Sequence, residues 1–185
     1  MSQKPKLRII SGSLKGLQIS FQASENLRPT PQRTKETLFN WLQWSIKEAT
    51  CLDLFAGTGN LGIEALSRGA KEVIFVDNNK AHIKSLNELL VQINMKNRSK
   101  AITQAALKFL NGTLQKFDII FLDAPFDSSL NQDALSLIAE KNILLYNGLV
   151  YYEHRQKLSP LDILPFNIIK SQKTGQVFSY LLKKD

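Results

Sequence analysis

The sequence is poor in the residues that form disulfides and metal sites. It has one cysteine, Cys51, and two histidines, His82 and His154. A single cysteine cannot form an internal disulfide, and two separated histidines without a cysteine cluster do not make a zinc site. Because Cys51 lies inside an apolar run, we interpret it as a core residue rather than a nucleophile. The sequence therefore predicts no bound metal.

Long apolar runs are also missing. No run approaches the roughly 20 residues of a membrane span, and the first residues, 1–6, contain no apolar core of a signal peptide. We therefore expect a cytoplasmic protein with no membrane partner. A chain of 185 residues accommodates one well-buried domain with a small appendage, but not a nucleotide domain plus a full substrate domain. This length argues against a two-domain dehydrogenase.

Positive charge is concentrated near the N-terminus. Residues 1–35 carry seven basic side chains against the single acidic Glu25, so +6 of the net charge of +8 lies there. Such a basic segment ahead of a nearly neutral body favours a polyanionic partner, with a solvated surface arm as the alternative. The candidate nucleic-acid contacts are the basic residues Lys6, Arg8, Lys15, Arg28, Arg33 and Lys35.

A glycine-rich turn follows the apolar run 51–55. Gly57, Gly59 and Gly62 have the G-x-G-x-x-G spacing, which suggests a dinucleotide site and leaves a nicotinamide-dependent oxidoreductase as a less favoured alternative. Asp53 argues against it, because a carboxylate at the mouth of the loop would repel a pyrophosphate but accept hydrogen bonds from an amine. S-adenosylmethionine is an amine-bearing, cationic ligand without phosphate. Its candidate contacts here are Asp53, Phe55, Ala56, Gly57, Thr58 and Gly59.

A second carboxylate ends the next predicted strand. Asp77 closes the run 73–77, twenty residues after Gly57, at the spacing of an acidic residue that accepts hydrogen bonds from ribose hydroxyls. Asn78, directly after it, is a further candidate cofactor contact. The alternative interpretation is that Asp77 only caps the helix that begins near Lys80.

The order of elements predicts an α/β fold with a doubly wound, mostly parallel, seven-stranded sheet and an antiparallel C-terminal edge. Ahead of it, residues 1–30 are predicted to form a basic β-hairpin extension with strands over 7–10 and 16–21, and residues 31–185 the main domain. The predicted helices cover 31–46, 60–68, 80–94 and a segment from Leu130 to Ile138. The predicted strands of the sheet cover 51–55, 73–77, 99–103, 117–122, 148–153, 166–170 and 176–182.

The tetrapeptide 123–126, Asp-Ala-Pro-Phe, follows the fourth of these strands. In a doubly wound sheet that strand lies beside the first, so the tetrapeptide should face the glycine-rich turn. Asp123 and the Ala124 carbonyl can accept hydrogen bonds from an exocyclic base amine, while Pro125 stiffens the loop and Phe126 offers a face for base stacking. The alternative is a plain turn in which Asp123 caps the following helix.

Several segments together resemble one family. They are Arg8-Ile-Ile-x-Gly12, Arg28-Pro-Thr30, Glu36 to Leu42, Cys51 to Gly59, Glu64 to Ala70, the tetrapeptide 123–126 and Gly175-Gln176. This set resembles the bacterial RsmD-type methyltransferases over nearly the whole chain. The resemblance implies the Rossmann-like class I fold, S-adenosyl-L-methionine as cofactor, and methylation of a guanine N2 amine in 16S ribosomal RNA. It also implies a monomer that acts on the small subunit or an assembly intermediate.

Two positions depart from the pattern of that family. Ala124 stands where the family usually has proline, and Gln104-Ala105-Ala106 stands where it usually has an acidic residue near the adenine. Ala105 is therefore the candidate cofactor contact in that segment, through its backbone. Because the tetrapeptide chemistry serves any exocyclic amine, an adenine-N6 methyltransferase of DNA or RNA remains an alternative. A non-catalytic RNA-binding or assembly protein with a vestigial cofactor cleft is another.

Overall fold

The computed structural model describes residues 6–20, 32–124 and 129–184. The helices there are α1 Gln32–Trp41, α2 Asn60–Ser67, α3 Lys80–Gln92, α4 Ala106–Gly112 and α5 Leu130–Glu140. The strands are β1 Lys6–Arg8, β2 Gln18–Ser20, β3 Thr50–Asp53, β4 Glu72–Asp77, β5 Ser99–Thr103, β6 Phe117–Leu122, β7 Leu144–His154, β8 Phe166–Thr174 and β9 Val177–Lys184. None of the helices in these ranges is long and apolar enough to cross a membrane.

Seven strands form one sheet in the order β5-β4-β3-β6-β7-β9-β8. The first five strands in this order are parallel, and β9 runs antiparallel to both β7 and β8. β1 and β2 pair antiparallel as a separate hairpin. These observations confirm the predicted doubly wound sheet, its antiparallel C-terminal hairpin and the small N-terminal hairpin.

Both faces of the sheet are covered, because successive side chains of each buried strand point to opposite sides. Cys51 and Phe75 lie in the core on the face covered by α1, α2 and α3, where the N-terminal hairpin also packs. Leu52 and Ile74 lie in the core on the face covered by α4 and α5. The continuous apolar runs of the central strands follow from this burial on two sides, and Cys51 is confirmed as a core residue.

The strand order reverses at β3, which lies between β4 and β6. Asp53 at the end of β3 is level with Phe75 on one neighbour and with Phe121 on the other. Asp77 and Asp123 each follow those partners by two residues. Three carboxylates therefore lie at the carboxyl ends of three adjacent strands, at the place where ligands bind in open α/β sheets.

Several bounds differ from the predictions, among them the start of β7, which lies at Leu144 rather than at residue 148. Helix α1 ends at Trp41 rather than near residue 46, and the chain then turns through residues 42–48, with Glu48 at a positive φ of 61°. Helix α4 was not predicted, because it has only seven residues and no side-chain cap at its start. The C-terminal turn is shorter than predicted, since Thr174 pairs with Val177 and only two residues connect β8 to β9. The predicted first residue of α1, residue 31, lies outside the described residues.

Candidate functional site

The glycine-rich turn between β3 and α2 is sharp and tied to the neighbouring strand. Gly57 and Gly59 have positive φ values of 50° and 76°, and the Gly59 N–H donates to the carbonyl of Ala56. The Ala56 N–H donates to the carbonyl of Val76 in β4 over 2.9 Å. A Cβ on Gly59 would lie 2.6 Å from Leu86 Cδ1, so a side chain there would be both strained and crowded.

The third glycine of the motif has a packing role. A Cβ on Gly62 would lie 2.1 Å from Cε1 of Phe75, which is closer than any real contact. Gly62 therefore lets α2 approach β4 closely. This is the role of the third glycine in such motifs, and it requires no bound dinucleotide.

Asp53 is buried and forms a hydrogen bond with the start of α2, directly after the glycine-rich turn. Its side chain is only 5% exposed, and its carboxylate accepts a hydrogen bond from the Gly62 N–H over 2.9 Å. Burial raises the pKa of Asp53 to about 7, and the charges of Asp123 and Asp77 add to this rise while the Gly62 N–H opposes it. Asp53 therefore lies within electrostatic reach of both other carboxylates.

Asp77 binds the turn directly. Its carboxylate accepts hydrogen bonds from the N–H groups of Gly57 and Asn79, both over 2.7 Å, and His82 Nδ1 lies 3.3 Å from one oxygen. The side chain that caps α3 is Asn79, which accepts from the N–H groups of Ala81 and His82. The interpretation of Asp77 as the helix cap is therefore wrong. A carboxylate has about four lone-pair positions, so acceptor capacity remains for ligand hydroxyls.

The Asp123-Ala124 segment continues β6 toward the same edge. Leu122 pairs with Tyr152 of β7, so Asp123 and the next residue of β7, Glu153, follow side by side. Asp123 is half-buried and Ala124 is buried. Pro125 and Phe126, the rest of the predicted catalytic tetrapeptide, lie outside the described residues.

Glu153 is an acidic residue of this edge that the sequence analysis did not select. It is 3% exposed and accepts a hydrogen bond from the Tyr151 hydroxyl. Burial raises the pKa of Glu153 to about 8, and the negative charge of Asp123 is the next cause. A signal was present in the sequence, because Glu153 ends a predicted strand just as Asp77 does.

The remaining candidate cofactor residues lie around the turn and the end of β5. Phe55, Gly57 and Thr58 are half-buried, whereas Asn78 and Ala105 are exposed. Gln104, just before Ala105, donates its N–H to the Asp77 carbonyl over 3.0 Å. The segment with Ala105 therefore begins beside the end of β4, on the same edge as the glycine-rich turn.

Of the predicted nucleic-acid contacts, four are exposed, one is buried and Arg28 lies outside the described residues. The exposed ones are Lys6, Arg8, Lys15 and Arg33. Lys35 is the buried one, at 2% exposure, and its placement among the surface contacts is wrong. Its ammonium donates to the Arg8 carbonyl and to Asn60 Oδ1, each over 2.8 Å, and lies 3.3 Å from a Glu64 oxygen. Burial lowers the pKa of Lys35, and Glu64 opposes this effect.

Glu64 of α2 anchors the N-terminal hairpin. Its carboxylate accepts hydrogen bonds from the backbone N–H groups of Ile10 and Ser11 and pairs with Arg68 over 2.8 Å. Farther along α2, the Ser67 hydroxyl accepts from the Leu14 N–H. The hairpin thus runs along α2, with Arg8 near the start of the helix, beside the glycine-rich turn, and Lys15 near its end.

Within residues 6–20, 32–124 and 129–184, no group of three histidine, cysteine or acidic side chains could hold a metal ion. The edge of the sheet at the strands' carboxyl ends presents carboxylates, backbone groups and the glycine-rich turn. These groups can accept hydrogen bonds from hydroxyls and amines, and they favour positive charge.

The chain was compared with known proteins. The family model Conserved hypothetical protein 95 matches residues 7–183. Ribosomal RNA small subunit methyltransferase D of Haemophilus influenzae is 42% identical over 184 residues, covering 97% of this chain and 94% of the relative. The Escherichia coli K12 protein of the same name is 33% identical and covers 97% and 91%. The solved structure of Escherichia coli yhhF has a TM-score of 0.89 and 31% identity, covering 98% of this chain and 99% of that one.

Proposed function

Because this chain belongs to the Conserved hypothetical protein 95 family, we propose that it methylates small-subunit ribosomal RNA at the N2 amine of a guanine, with S-adenosylmethionine as cofactor. The substrate is 16S ribosomal RNA in the small subunit or in an assembly intermediate. The protein acts in the cytoplasm as a monomer and without a metal ion. The names of the two relatives, which are 42% and 33% identical to this chain, support ribosomal RNA of the small subunit as the substrate.

One observation carries the proposed chemistry: the three carboxylates Asp53, Asp77 and Asp123 lie at the ends of three adjacent strands around a glycine-rich turn. A cluster of like charges repels a phosphate-bearing cofactor. It favours a ligand with a sulfonium and a free amine, and a reaction in which positive charge develops on a substrate nitrogen. Methyl transfer from S-adenosylmethionine to an exocyclic amine meets both conditions.

The cofactor fits the residues that would hold it. Asp77 keeps acceptor capacity for two ribose hydroxyls. The two positive-φ glycines of the turn, Gly57 and Gly59, carry no side chain that would keep a ligand from the backbone. Asp53 favours the cationic end of the ligand by its charge. When bound, S-adenosylmethionine supplies an electrophilic methyl group.

The tetrapeptide orients the amine that receives this group. An exocyclic amine is a weak nucleophile because its lone pair is delocalised into the ring, so positioning and charge stabilisation contribute most of the catalysis. The Asp123 carboxylate and the Ala124 carbonyl accept the two N–H bonds and aim the nitrogen. Asp123 also stabilises the positive charge that develops there, and Phe126 stacks on the extruded base.

The experiment that tests this function is labelled methyl transfer to naked 16S RNA and to small subunits from a strain lacking the protein. The modified nucleoside is then identified after digestion. We expect N2-methylguanosine. N6-methyladenosine would instead establish the adenine-specific alternative, and absence of both transfer and cofactor binding would indicate a non-catalytic RNA-binding protein.

The role of Asp77 in cofactor binding can be tested by calorimetry. Asp77→Ala should weaken S-adenosylmethionine binding by roughly 1 to 3 kcal/mol, the range for lost hydrogen bonds to a charged acceptor. Asn79→Ala is the matched control, because it removes the α3 cap two residues away. The control should lower stability by about 1 kcal/mol and leave cofactor affinity unchanged. Unchanged affinity in a folded Asp77→Ala protein would show that Asp77 only supports the turn.

The basic residues of the N-terminal segment should bind RNA phosphates. Neutral substitutions at Lys6, Arg8, Arg28 and Arg33 should weaken RNA binding and flatten the slope of log affinity against log salt, since fewer counterions are released. Cofactor affinity should barely change. Lys15→Ala alone should have a smaller effect, because Lys15 lies near the far end of α2.

A matched set of four lysines provides the control for this charge removal. All four are exposed and come shortly before parallel strands, at the amino ends of these strands and therefore opposite the site. They are Lys47, Lys71, Lys116 and Lys141. Neutralising this control set removes the same charge and should leave the salt dependence nearly unchanged. Equal slopes for the two sets would mean that RNA binding depends on net charge rather than on the N-terminal segment.

A further inference from the structure

Asn131 connects the loop after β6 to β7. It is the second residue of α5 and is 5% exposed. Its side-chain Oδ1 accepts the Ala124 N–H over 3.0 Å, and its Nδ2 donates to the Glu153 carbonyl over 2.8 Å. Both hydrogen bonds are buried. One side chain thus joins the backbone of β7 to the residue that follows Asp123.

The chemistry of the two partners fixes the orientation of the amide. Ala124 presents a donor and Glu153 presents an acceptor, so only one of the two amide orientations satisfies both. A valine or leucine of similar volume would leave a buried N–H and a buried carbonyl unpaired. The site therefore selects an asparagine for its paired donor and acceptor rather than for its size.

The Ala124 N–H belongs to the same peptide group as the Asp123 carbonyl. Holding that N–H fixes the plane of the peptide group. The Cα of Asp123 lies in this plane, so the point from which its side chain extends is held as well. Alanine by itself restricts this plane less than a proline would, because a proline ring fixes φ. Proline also has no N–H, so Asn131 can act in this way only because residue 124 is not proline.

We propose that Asn131 is a positioning residue, which holds the Asp123-Ala124 peptide in the orientation that methyl transfer requires. This inference rests on the proposed function. Asn131 reaches the reaction through the Ala124 N–H and does not touch the substrate. A group misplaced by about 1 Å can cost 100-fold in rate, so a small rotation of this peptide is sufficient for a measurable effect.

The test combines Asn131→Ala, Ala124→Pro and the double variant in single-turnover methyl transfer with saturating enzyme and cofactor. Asn131→Ala should lower the rate roughly 10- to 100-fold. Its Kd values for cofactor and for RNA should stay within about twofold of the parent protein. Gln132→Ala, an exposed neighbour on the same helix, is the control and should leave the rate unchanged.

The Ala124→Pro background tests whether Asn131 affects the rate through the Ala124 N–H. Proline removes the N–H that Asn131 accepts, so Asn131→Ala should change the rate of the Ala124→Pro protein less than about threefold, whatever that rate is. An equal loss in both backgrounds would overturn the inference, because Asn131 would then act through another contact. A parent-like rate in Asn131→Ala alone would overturn it as well.

Amide hydrogen exchange tests the bridge without any variant. In the parent protein the Ala124 N–H should be protected from exchange, and exchange at the rate of an open loop would overturn the inference. A parent protein that transfers no methyl group would instead overturn the proposed function, while the exchange measurement would still report on the hydrogen bond. The two failures are therefore distinguishable.

Discussion

Asp123→Ala should lower the single-turnover rate of methyl transfer roughly 100-fold or more, the loss seen when one electrostatic stabiliser of a developing charge is removed. The carboxylate interacts most strongly with the amine in the transition state, so the rate should fall far more than RNA affinity does. The variant loses both the negative charge that raises the pKa of Asp53 and Glu153 and a side-chain hydrogen bond to Glu153, so its free energy of unfolding is measured as well. The measurement is single-turnover transfer alongside equilibrium RNA binding.

Three further variants separate the contribution of the Asp123 charge from those of its hydrogen bond and of base stacking. Asp123→Asn keeps a hydrogen-bond acceptor without the charge, and should give an intermediate rate. Asp133→Ala removes an exposed carboxylate from the first turn of α5 and should not change the methyl-transfer rate. Phe126→Ala should weaken both base capture and rate, since stacking precedes methyl transfer. Near-parent chemistry in a folded Asp123→Ala protein would mean that the tetrapeptide is only a turn.

The second large effect concerns stability. Glu64→Gln should lower the free energy of unfolding by about 3 to 5 kcal/mol, because it leaves the buried ammonium of Lys35 without its counter-charge. Lys35→Met should be costly for the converse reason. The double variant should lose less than the sum of the two single losses, since neither charge then remains buried alone. Denaturant unfolding measures all three differences.

Two comparisons test whether the lost charge pair causes this instability. Glu36→Gln, on the outer part of α1, should stay within about 0.5 kcal/mol of the parent. Burial lowers the pKa of Lys35 below its usual 10.5 in the parent protein, and Glu64 opposes this effect. Without Glu64 the pKa should fall further, so at alkaline pH the unfolded variant binds more protons than the folded one by a larger margin than in the parent. The loss should therefore shrink as pH rises toward about 10. A constant loss across this range would point to the hairpin hydrogen bonds of Glu64 instead.

The parts of the fold that depend on local sequence could be predicted. Buried parallel strands carry long apolar runs, and a glycine-rich turn marks the first crossover. The doubly wound sheet, the pairing of β3 with β6 and the positions of Asp53, Asp77 and Asp123 therefore followed from the sequence. Helix α4 was missed because seven residues without a capping side chain carry little periodicity.

Contacts between residues distant in sequence could not be predicted. The sequence shows that Lys35 is basic but not whether its side chain faces solvent or Glu64. Only the packing of α1 against α2 determines that it pairs with Glu64. The sequence does not distinguish Asn131, which is buried, from its exposed polar neighbour Gln132. The partners of Asn131 come from two different strands and carry no side-chain signal, because both are backbone groups.

The place of β9 in the sheet has a consequence for synthesis. β8 leaves the ribosome before β9, but its hydrogen-bonded neighbour in the sheet is β9, which lies between it and β7. The outer edge of β7 therefore stays unpaired until residues 177–184 have been made, and an unpaired edge invites association with other chains. A ribosome that stops before Val177 would release a protein that lacks two strands of the sheet rather than one.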